Sequence, residues 1–252
     1  MYPIIALWAH PRSLSTVFER IMRERGDLNC LHEPFMYDYY VHRRVRIMPG
    51  FEIDLDHPAA YREIRDSIVA LAQTGPVFFK DMSYYVLPYL PTDPDFASKI
   101  THSFLIRNPV SAIVSYYRLD SKITLEEIGI ASQWTHFKAL VDLFGTEPIV
   151  IEAESVQARP KQTLSHYWEQ VKLDYVDHAF NWSQEDAPAA WQPVKGWHQG
   201  ALASQGIRDA DPDEAARKRE AYAQCLVDAP HLADYLARHM PAYEELKSRA
   251  QP

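Results

Sequence analysis

Apolar positions follow two different periods along this chain. Four short apolar runs have the length and composition of buried strands. They are residues 4–8, 77–82, 103–106 and 148–151. Between these runs, apolar residues recur at helical spacing. The predicted helices are residues 17–25, 58–73, 109–117, 131–144, 160–173 and 211–227, with a last helical segment from His231 that Pro241 interrupts.

Strands that are separated by helices predict an α/β fold. We expect a three-layer sandwich, in which helices flank a central parallel sheet of four to five strands. The length of 252 residues suits one domain, residues 1–252. Two stretches show neither period. Residues 27–49 are aromatic and irregular, and residues 181–206 predict an ordered loop rather than a regular element.

Charge and composition narrow the possible partners. The net charge of −8 makes a nucleic-acid partner improbable, because phosphate backbones are bound by basic surfaces. No stretch has the length of a membrane span, and no secretory signal pattern is present. Cys30 and Cys225 form no spaced motif. This pattern favours the reducing cytoplasm and argues against a disulfide framework or a Cys-rich metal site.

The turn after the first strand carries the clearest chemistry. It is Pro11-Arg12-Ser13-Leu14-Ser15-Thr16, with one guanidinium and three hydroxyls between a strand and a helix. The first N–H groups of such a helix point outward from the sheet edge, where an anion can bind. The turn therefore predicts a phosphate or sulfate site, although hydroxyls that only cap the helix are an equal alternative. It lacks the glycines and the Gly-Lys-Ser/Thr of an ATP-binding loop.

Two further predicted strands also end in charged side chains. Lys80 and Asp81 lie at the end of one, and Arg107 follows another. The carboxyl ends of parallel strands share one edge of the sheet, which is where ligands bind in such folds. We therefore expect Arg12, Lys80 and Arg107 to form one anionic-ligand site.

The segment from Arg107 to Ser115 resembles a nucleotide-binding segment of sulfotransferases that use 3′-phosphoadenosine 5′-phosphosulfate (PAPS). In that family an Arg at a strand end and a Ser eight residues later hold the donor's 3′-phosphate. The Arg12–Thr16 turn is similar to the family's 5′-phosphosulfate loop. The resemblance covers roughly residues 1 to 155 and implies a P-loop NTPase-like fold of the bacterial small-molecule type. It also implies PAPS as co-substrate and no metal.

The resemblance assigns a role to each matching residue. Arg12 and Lys80 would stabilise the charge on the moving sulfuryl group, and Arg107 and Ser115 would hold the 3′-phosphate. The 5′-phosphate would be bound by the loop. These loop residues are Arg12, Ser13, Leu14, Ser15 and Thr16. Leu14 departs from the family, which often has Gly at this position.

The general base is not fixed by the resemblance. Met82 stands where phenol-sulfating and steroid-sulfating relatives have a catalytic His. Glu33 of His-Glu-Pro-Phe matches the catalytic Glu of bacterial and carbohydrate-sulfating relatives, so Glu33 is the first candidate. The alternative is that Glu33 caps its turn or pairs with an arginine of residues 43–46. Asp81 is the second candidate, unless it only neutralises Lys80, and His32 and His10 are more remote ones.

Aromatic side chains supply a possible acceptor pocket, although each ring could equally belong to the core. The candidates are residues 35–40, Tyr84, Tyr85, Trp191 and Trp197. Arg43, Arg44 and Arg46 could attract an acidic acceptor or form a solvated face. Lys195–His198 is loosely similar to a loop that covers the donor in relatives.

These observations predict an enzyme that transfers a sulfuryl group from PAPS to a hydroxyl or amine of a small-molecule acceptor. The alternatives are a P-loop kinase-like phosphotransferase and a catalytically silent nucleotide-binding protein of the same fold. The sequence indicates neither the identity of the acceptor nor the oligomeric state.

Overall fold

The computed structural model describes residues 1–183, 188–207, 211 and 213–250. A five-stranded sheet runs through its centre in the order β2-β3-β1-β4-β5. The strands are β1 (Ile4–Ala9), β2 (Asn29–His32), β3 (Val77–Met82), β4 (Ile100–Ile106) and β5 (Ile149–Glu152). Every neighbouring pair is parallel, so all five carboxyl ends lie at one edge. The predicted α/β fold with a parallel sheet is confirmed.

Helices connect successive strands and complete the fold. They are α1 (Ser15–Glu24), α2 (Tyr61–Leu71), α3 (Ser83–Val86), α4 (Pro94–Ala97), α5 (Pro109–Tyr117), α6 (Ile130–Phe144), α7 (Ala153–Ala158), α8 (Pro160–Gln170), α9 (Gln199–Leu202), α10 (Glu214–Asp228) and α11 (Leu232–Lys247). Short 3-10 turns lie at Leu90–Thr92, Glu126–Ile128, Asp177–Phe180 and Ala189–Trp197. Among the described residues, no helix combines the length and the apolar character needed to cross a membrane.

The sheet is buried on both faces because successive residues of each strand point in opposite directions. Ala6 and Trp8 of β1 pack in the larger core, together with α2, α5, α6 and α11. Ile5 and Leu7 pack in the second core, together with α1 and α8. Helices therefore cover each face, and the edge formed by the strand ends is left for a site.

The strand β2 and the turn after it were not predicted. Residues 27–49 were expected to be irregular, but residues 29–32 pair with β3 at the sheet edge, and Asp38–His42 forms a π-helical turn. The four residues Asn-Cys-Leu-His contain no apolar run. Pairing with β3, rather than local hydrophobicity, makes them a strand.

Two helical predictions were also wrong. Residues 189–202 form a 3-10 turn and the short helix α9, although residues 181–206 were expected to lack regular elements. Helix α11 continues through Pro241, which was expected to interrupt it. A proline removes one helical hydrogen bond. The burial of Ala242, Tyr243 and Leu246 beyond it keeps the helix in contact with the core.

Some boundaries shift by a few residues. Helix α2 begins at Tyr61 instead of residue 58, and α8 ends at Gln170 instead of residue 173. Strand β4 begins at Ile100, three residues before the predicted start. Helix ends fray, and the assigned ends of helices and strands vary by a few residues. Shifts of this size leave the order of the elements unchanged.

Candidate active site

A cavity of about 670 Å³ lies at the carboxyl ends of the central strands. Arg12, Glu33, Lys80 and Arg107 all line it, although they lie far apart in the sequence. They come together because each follows or ends a strand of the same parallel sheet. Two groups of lining residues stand out: Arg12 and Arg107, which are in contact and define the cationic end, and a set of packed rings, among them Tyr84 and Tyr85, which define the aromatic end.

The turn between β1 and α1 takes a conformation that is unusual for its residues. Arg12 has a φ of 66° and Leu14 a φ of 68°, which is the left-handed region that glycine adopts at no cost. Leu14 precedes α1, whose first residues Ser15 and Thr16 line the cavity. The N–H groups of a first helical turn have no partner within the helix, so this turn presents donors to an anion.

Arg12 is held by neutral partners. Its Nε donates to the Ser115 hydroxyl at 2.9 Å, and its NH1 group donates to the Trp197 carbonyl at 2.8 Å. Burial, together with the nearby Arg107, lowers the pKa of the Arg12 guanidinium. No carboxylate among the described residues forms an ion pair with Arg12, and this favours binding of an anion.

Arg107 is anchored by the turn and by helix α10. Its NH1 group donates to the Arg12 carbonyl at 3.0 Å, and its NH2 group donates to Glu214 at 2.8 Å. Its backbone N–H donates at 3.0 Å to His10, whose pKa burial lowers to about 3. His10 is thus a neutral support behind the cavity. The Glu214 carboxylate marks the position from which an anion contacts Arg107.

Two cations at this end were not singled out from the sequence. Arg118 and Lys218 line the cavity, and neither lies within ion-pairing distance of a carboxylate in the described part of the chain. Burial, followed by the charge of Arg107, lowers the pKa of Lys218. Arg118 follows the last residue of α5 and is three residues after Ser115. Residues three apart lie on the same face of a helix, so this spacing could have identified Arg118.

Glu33 and Lys80 form an ion pair, and both side chains line the cavity. Both side chains are buried, Lys80 at 1% and Glu33 at 7% exposed. Glu33 has a φ of 42°, and its backbone N–H donates to the Lys80 carbonyl at 3.0 Å as β2 ends. The expected alternative partner of Glu33, an arginine of residues 43–46, is not used. A buried carboxylate–ammonium pair that faces a cavity suits proton transfer.

Asp81 lies on the opposite face of β3 from Lys80 and does not line the cavity. Its carboxylate accepts backbone N–H groups of Phe35 at 2.7 Å and Met82 at 2.9 Å. It therefore fixes the turn that follows Glu33. The expectation that Asp81 either serves as a base or neutralises Lys80 finds no support in this geometry.

The hydroxyls of Ser13 and Ser115, which were predicted to bind the donor, lie behind the cavity wall. Ser115 accepts the Arg12 bond described above. Ser13 is fully buried, and its hydroxyl has no hydrogen-bond partner among the residues that the structure describes. Neither lines the cavity itself, in contrast to Ser15 and Thr16.

The aromatic end is walled mainly by uncharged side chains. They are Tyr40, Met48, Met82, Tyr84, Tyr85, Tyr116, Val194 and Trp197. Of the predicted wall residues, residues 35–39 and Trp191 do not line the cavity, and Trp191 is buried against Glu19. Arg43 pairs with Asp38, and Arg46 pairs with Asp120 and Glu127. Arg43 and Arg46 are therefore neutralised, Arg44 is exposed, and none of the three lines the cavity, so they do not supply a cationic wall for an acidic acceptor.

The segment of residues 195–198 lies over the turn between β1 and α1. Trp197 contributes the carbonyl that accepts from Arg12, and its ring lies 5.5 Å from that of Tyr116. His198 lies 3.2 Å from the Thr16 hydroxyl and 2.9 Å from His32. Lys195 points away and pairs with Glu52 at 3.4 Å. The structure thus brings the last two residues of the predicted loop to the cavity.

Comparison with known proteins identifies the family. The sequence profile of the sulfotransferase domain matches residues 3–250. The chain belongs to the sulfotransferase domain family. Two solved structures show the same fold as this sulfotransferase domain. The sulfotransferase domain from the curacin biosynthetic pathway is 12% identical, covers 89% of this chain and 98% of its own, and has a TM-score of 0.51.

The second structure is the sulfotransferase domain from the Synechococcus PCC 7002 olefin synthase. It is 16% identical, covers 88% of this sulfotransferase chain and 92% of its own, and has a TM-score of 0.52. Among curated proteins, branched-chain-amino-acid aminotransferase-like proteins 2 and 1 of Arabidopsis thaliana are each 25% identical, over 81% and 98% of this chain. The chain spans only 36% and 42% of their respective lengths.

Proposed function

We propose that this sulfotransferase moves a sulfuryl group from PAPS to a hydroxyl or amine of a small, largely apolar acceptor. The observation that carries the proposal is one cavity that is lined by cations, by aromatic rings and by the buried Glu33–Lys80 pair. A donor with two anionic groups suits the cationic end, and an acceptor suits the uncharged end.

The donor's two anionic groups have separate candidate partners. The N–H groups and hydroxyls of Ser15 and Thr16, with Arg12, suit the 5′-phosphosulfate at the start of α1. Arg107 suits the 3′-phosphate, because its guanidinium already binds a carboxylate of Glu214. Arg118 and Lys218 add positive charge at the same end. The phosphate would replace Glu214 on Arg107.

The chemical step requires positive charge around the moving sulfuryl group and a base for the acceptor's proton, rather than a covalent intermediate with the protein. In the proposed step the acceptor oxygen or nitrogen forms a bond to sulfur. The bond between sulfur and the bridging oxygen breaks, and its electron pair leaves with the 5′-phosphate. Glu33 takes the acceptor's proton, and Lys80 and Arg12 stabilise the negative charge that develops.

The Glu33–Lys80 pair couples these two tasks. While Glu33 is ionised, its charge is balanced by the Lys80 ammonium. When Glu33 accepts the proton, Lys80 loses its anionic partner and is free to interact with the leaving oxygen. The burial of both groups strengthens this exchange, because few waters compete with it.

The proposal also places the protein in a reducing compartment. Cys30 and Cys225 are both free thiols in the structure. Free thiols suit the cytoplasm, where disulfides are rare. Assays are therefore best run with a reductant present.

A binding titration tests the donor class. We expect 3′-phosphoadenosine 5′-phosphate to bind without added Mg²⁺ and more tightly than ATP does with or without Mg²⁺. Arg107→Ala should weaken that binding by roughly tenfold or more, because a charge-assisted hydrogen bond is lost. Glu214→Gln should bind as tightly as the unmodified protein or more tightly, since the competing carboxylate is gone.

Arg65→Ala is the matched control, because Arg65 pairs with Asp66 and Asp93 and does not line the cavity. It should leave the affinity unchanged. Unaltered affinity in Arg107→Ala, or tighter binding of ATP with Mg²⁺, would count against the proposed donor.

A further inference from the structure

Four side chains form a continuous chain of hydrogen bonds from a buried carboxylate to the phosphate-binding turn. Glu19 Oε2 lies 2.6 Å from His32 Nδ1, and His32 Nε2 lies 2.9 Å from His198 Nε2. His198 Nδ1 lies 3.2 Å from the Thr16 hydroxyl. Thr16 lines the cavity at the start of α1. The chain joins α1, β2 and the 195–198 segment at the cationic end.

The position of the proton is fixed at the Glu19 end. Glu19 is fully buried and accepts from Arg23 Nε at 2.7 Å and Trp191 Nε1 at 3.0 Å. Burial by itself would raise the pKa of Glu19, but His32 and Arg23 lower it below its usual range. Glu19 is therefore an ionised acceptor, and His32 Nδ1 must carry a proton in order to donate to it.

Two imidazole nitrogens at hydrogen-bond distance must share one proton, which leaves two arrangements. In the first, His32 Nε2 also carries a proton and donates to His198. His198 is then neutral, with its proton on Nδ1, and donates to Thr16. The Thr16 hydroxyl keeps its own proton to donate into the cavity.

In the second arrangement His32 is neutral and His198 donates from Nε2. His198 Nδ1 then has only a lone pair, so Thr16 must donate to it and offers no proton to a ligand. A doubly protonated His198 is disfavoured, because burial and the nearby His32 and Lys80 lower its pKa well below the usual value. The two arrangements differ by one proton.

We propose that His32 and His198 are positioning residues that set the direction of the Thr16 hydroxyl, so that the site takes up one proton when it binds the donor's 5′-phosphate group. An anionic oxygen needs the arrangement in which Thr16 donates. The inference rests on the proposed function, because it takes the ligand at this turn to be the donor nucleotide.

The charged groups around His32 and His198 come from every neighbouring element. Glu19 and Arg23 lie on α1, Lys80 lies on β3, and Glu33 Oε1 is 3.9 Å from His32 Nε2. Arg12 of the turn also acts on His198. The Glu33–Lys80 pair is internally balanced, as is the Glu19–Arg23 pair. The added proton on His32 is thus the charge that a bound phosphate can offset.

The first test measures the affinity for 3′-phosphoadenosine 5′-phosphate by calorimetry from about pH 6 to about pH 9. Once the histidine pair is deprotonated, the affinity of the unmodified protein should fall by up to tenfold per pH unit. Thr16→Val should bind roughly tenfold more weakly at the low end and lose this part of the pH dependence. Thr16→Ser keeps the hydroxyl and should retain both.

Proton uptake gives an independent measurement in the same experiment. Titrations in buffers of different ionisation enthalpy should show about one proton more taken up by the unmodified protein and Thr16→Ser than by Thr16→Val. The ligand's own phosphates titrate equally in all three proteins, so their contribution cancels in the difference. An equal pH dependence and equal uptake in Thr16→Val would overturn the inference.

Nitrogen-detected imidazole NMR of the nucleotide complex reports the tautomers directly. We expect both nitrogens of His32 to be protonated and His198 to carry its proton on Nδ1. A proton on His198 Nε2 in the complex would contradict the inference. If the unmodified protein binds no nucleotide at any pH, it is the proposed donor that fails. If it binds with the same pH dependence as Thr16→Val, only the role of the histidines fails.

Discussion

The two ends of the cavity are built in different ways. In the cationic end, Arg12 and Arg107 each follow a strand and are joined through the Arg12 carbonyl, and Lys218 of α10 adds a further charge. The aromatic end is formed by rings on short helices and loops, such as Tyr40, Tyr84 and Trp197. A charged site depends on the fixed orientation of a few hydrogen-bond donors and charged groups. An apolar wall depends on many contacts, and one apolar side chain of similar size can replace another.

This difference predicts unlike responses to substitution. Changes at the cationic end or at the Glu33–Lys80 pair should alter donor binding or the chemical step. Changes at the aromatic end should alter the KM for the acceptor and leave donor affinity in place. The predictions below test that separation, beginning with the largest effect.

Glu33→Gln should lower kcat by about 10²- to 10⁴-fold, because the amide cannot accept the acceptor's proton. Its affinity for 3′-phosphoadenosine 5′-phosphate should change little, since Glu33 follows β2 and is not part of the turn between β1 and α1. Single-turnover sulfuryl transfer and calorimetry with the same preparation measure the two quantities.

Asp81→Asn is the matched comparison for Glu33→Gln, because Asp81 is also a buried carboxylate and follows Lys80 directly. Asp81 accepts two backbone N–H groups, so the amide should lower the free energy of unfolding by about 1–3 kcal/mol. The folded fraction should keep its kcat. A large loss of kcat in Asp81→Asn with a normal Glu33→Gln would reverse the assignment of the base.

The buried His10, which lies behind the cationic end, should make the fold sensitive to acid. Burial lowers the pKa of His10 from 6.5 to about 3. As the pH falls below 6.5, the unfolded chain binds a proton that the folded state does not. The free energy of unfolding should therefore fall by up to about 1.4 kcal/mol per pH unit from this group.

Urea denaturation at a series of pH values measures that slope. His10→Gln should reduce the slope between pH 6.5 and about pH 4 while leaving other groups to titrate, among them the buried His102, whose pKa is lowered to about 4. An unchanged slope in His10→Gln would show that His10 is protonated, or accessible to protons, in the folded protein.

Tyr84→Leu should give the smallest effect on activity, a rise in the acceptor KM of about threefold to tenfold. The loss of one ring weakens an apolar wall without altering the cations, so donor affinity should stay the same. Tyr61→Leu removes a buried ring that does not line the cavity. It should lower stability without changing KM, and an equal KM effect in both variants would show that the ring acts only through folding.

Much of the cationic end could be predicted from the sequence. A strand, a turn with a guanidinium and hydroxyls, and a helix are contiguous in residues 4–24, so local pattern was enough to place Arg12 and Thr16. Arg107 follows the same logic after β4. Lys218 and Glu214 could not be placed, because they lie on α10 and reach Arg107 only through the packing of distant elements.

The choice between the two candidate bases could not be predicted from the sequence. Glu33 and Asp81 were both candidates, and no local pattern separates them. Only the pairing of β2 with β3 places Glu33 against Lys80, and only the alternation of β3 turns Asp81 toward the opposite face. The edge strand β2 itself carries no periodic signal.

The sequence by itself determined the α/β fold class and the strand, turn and helix that carry Arg12 and Thr16, because hydrophobic periodicity and turn chemistry are local properties of the chain. The tertiary structure alone decided which buried charges face the cavity, and it joined Glu19, His32, His198 and Thr16 into one hydrogen-bonded chain. Those contacts link residues up to 182 positions apart. Their geometry depends on how helices and loops pack against the sheet, which no local pattern encodes.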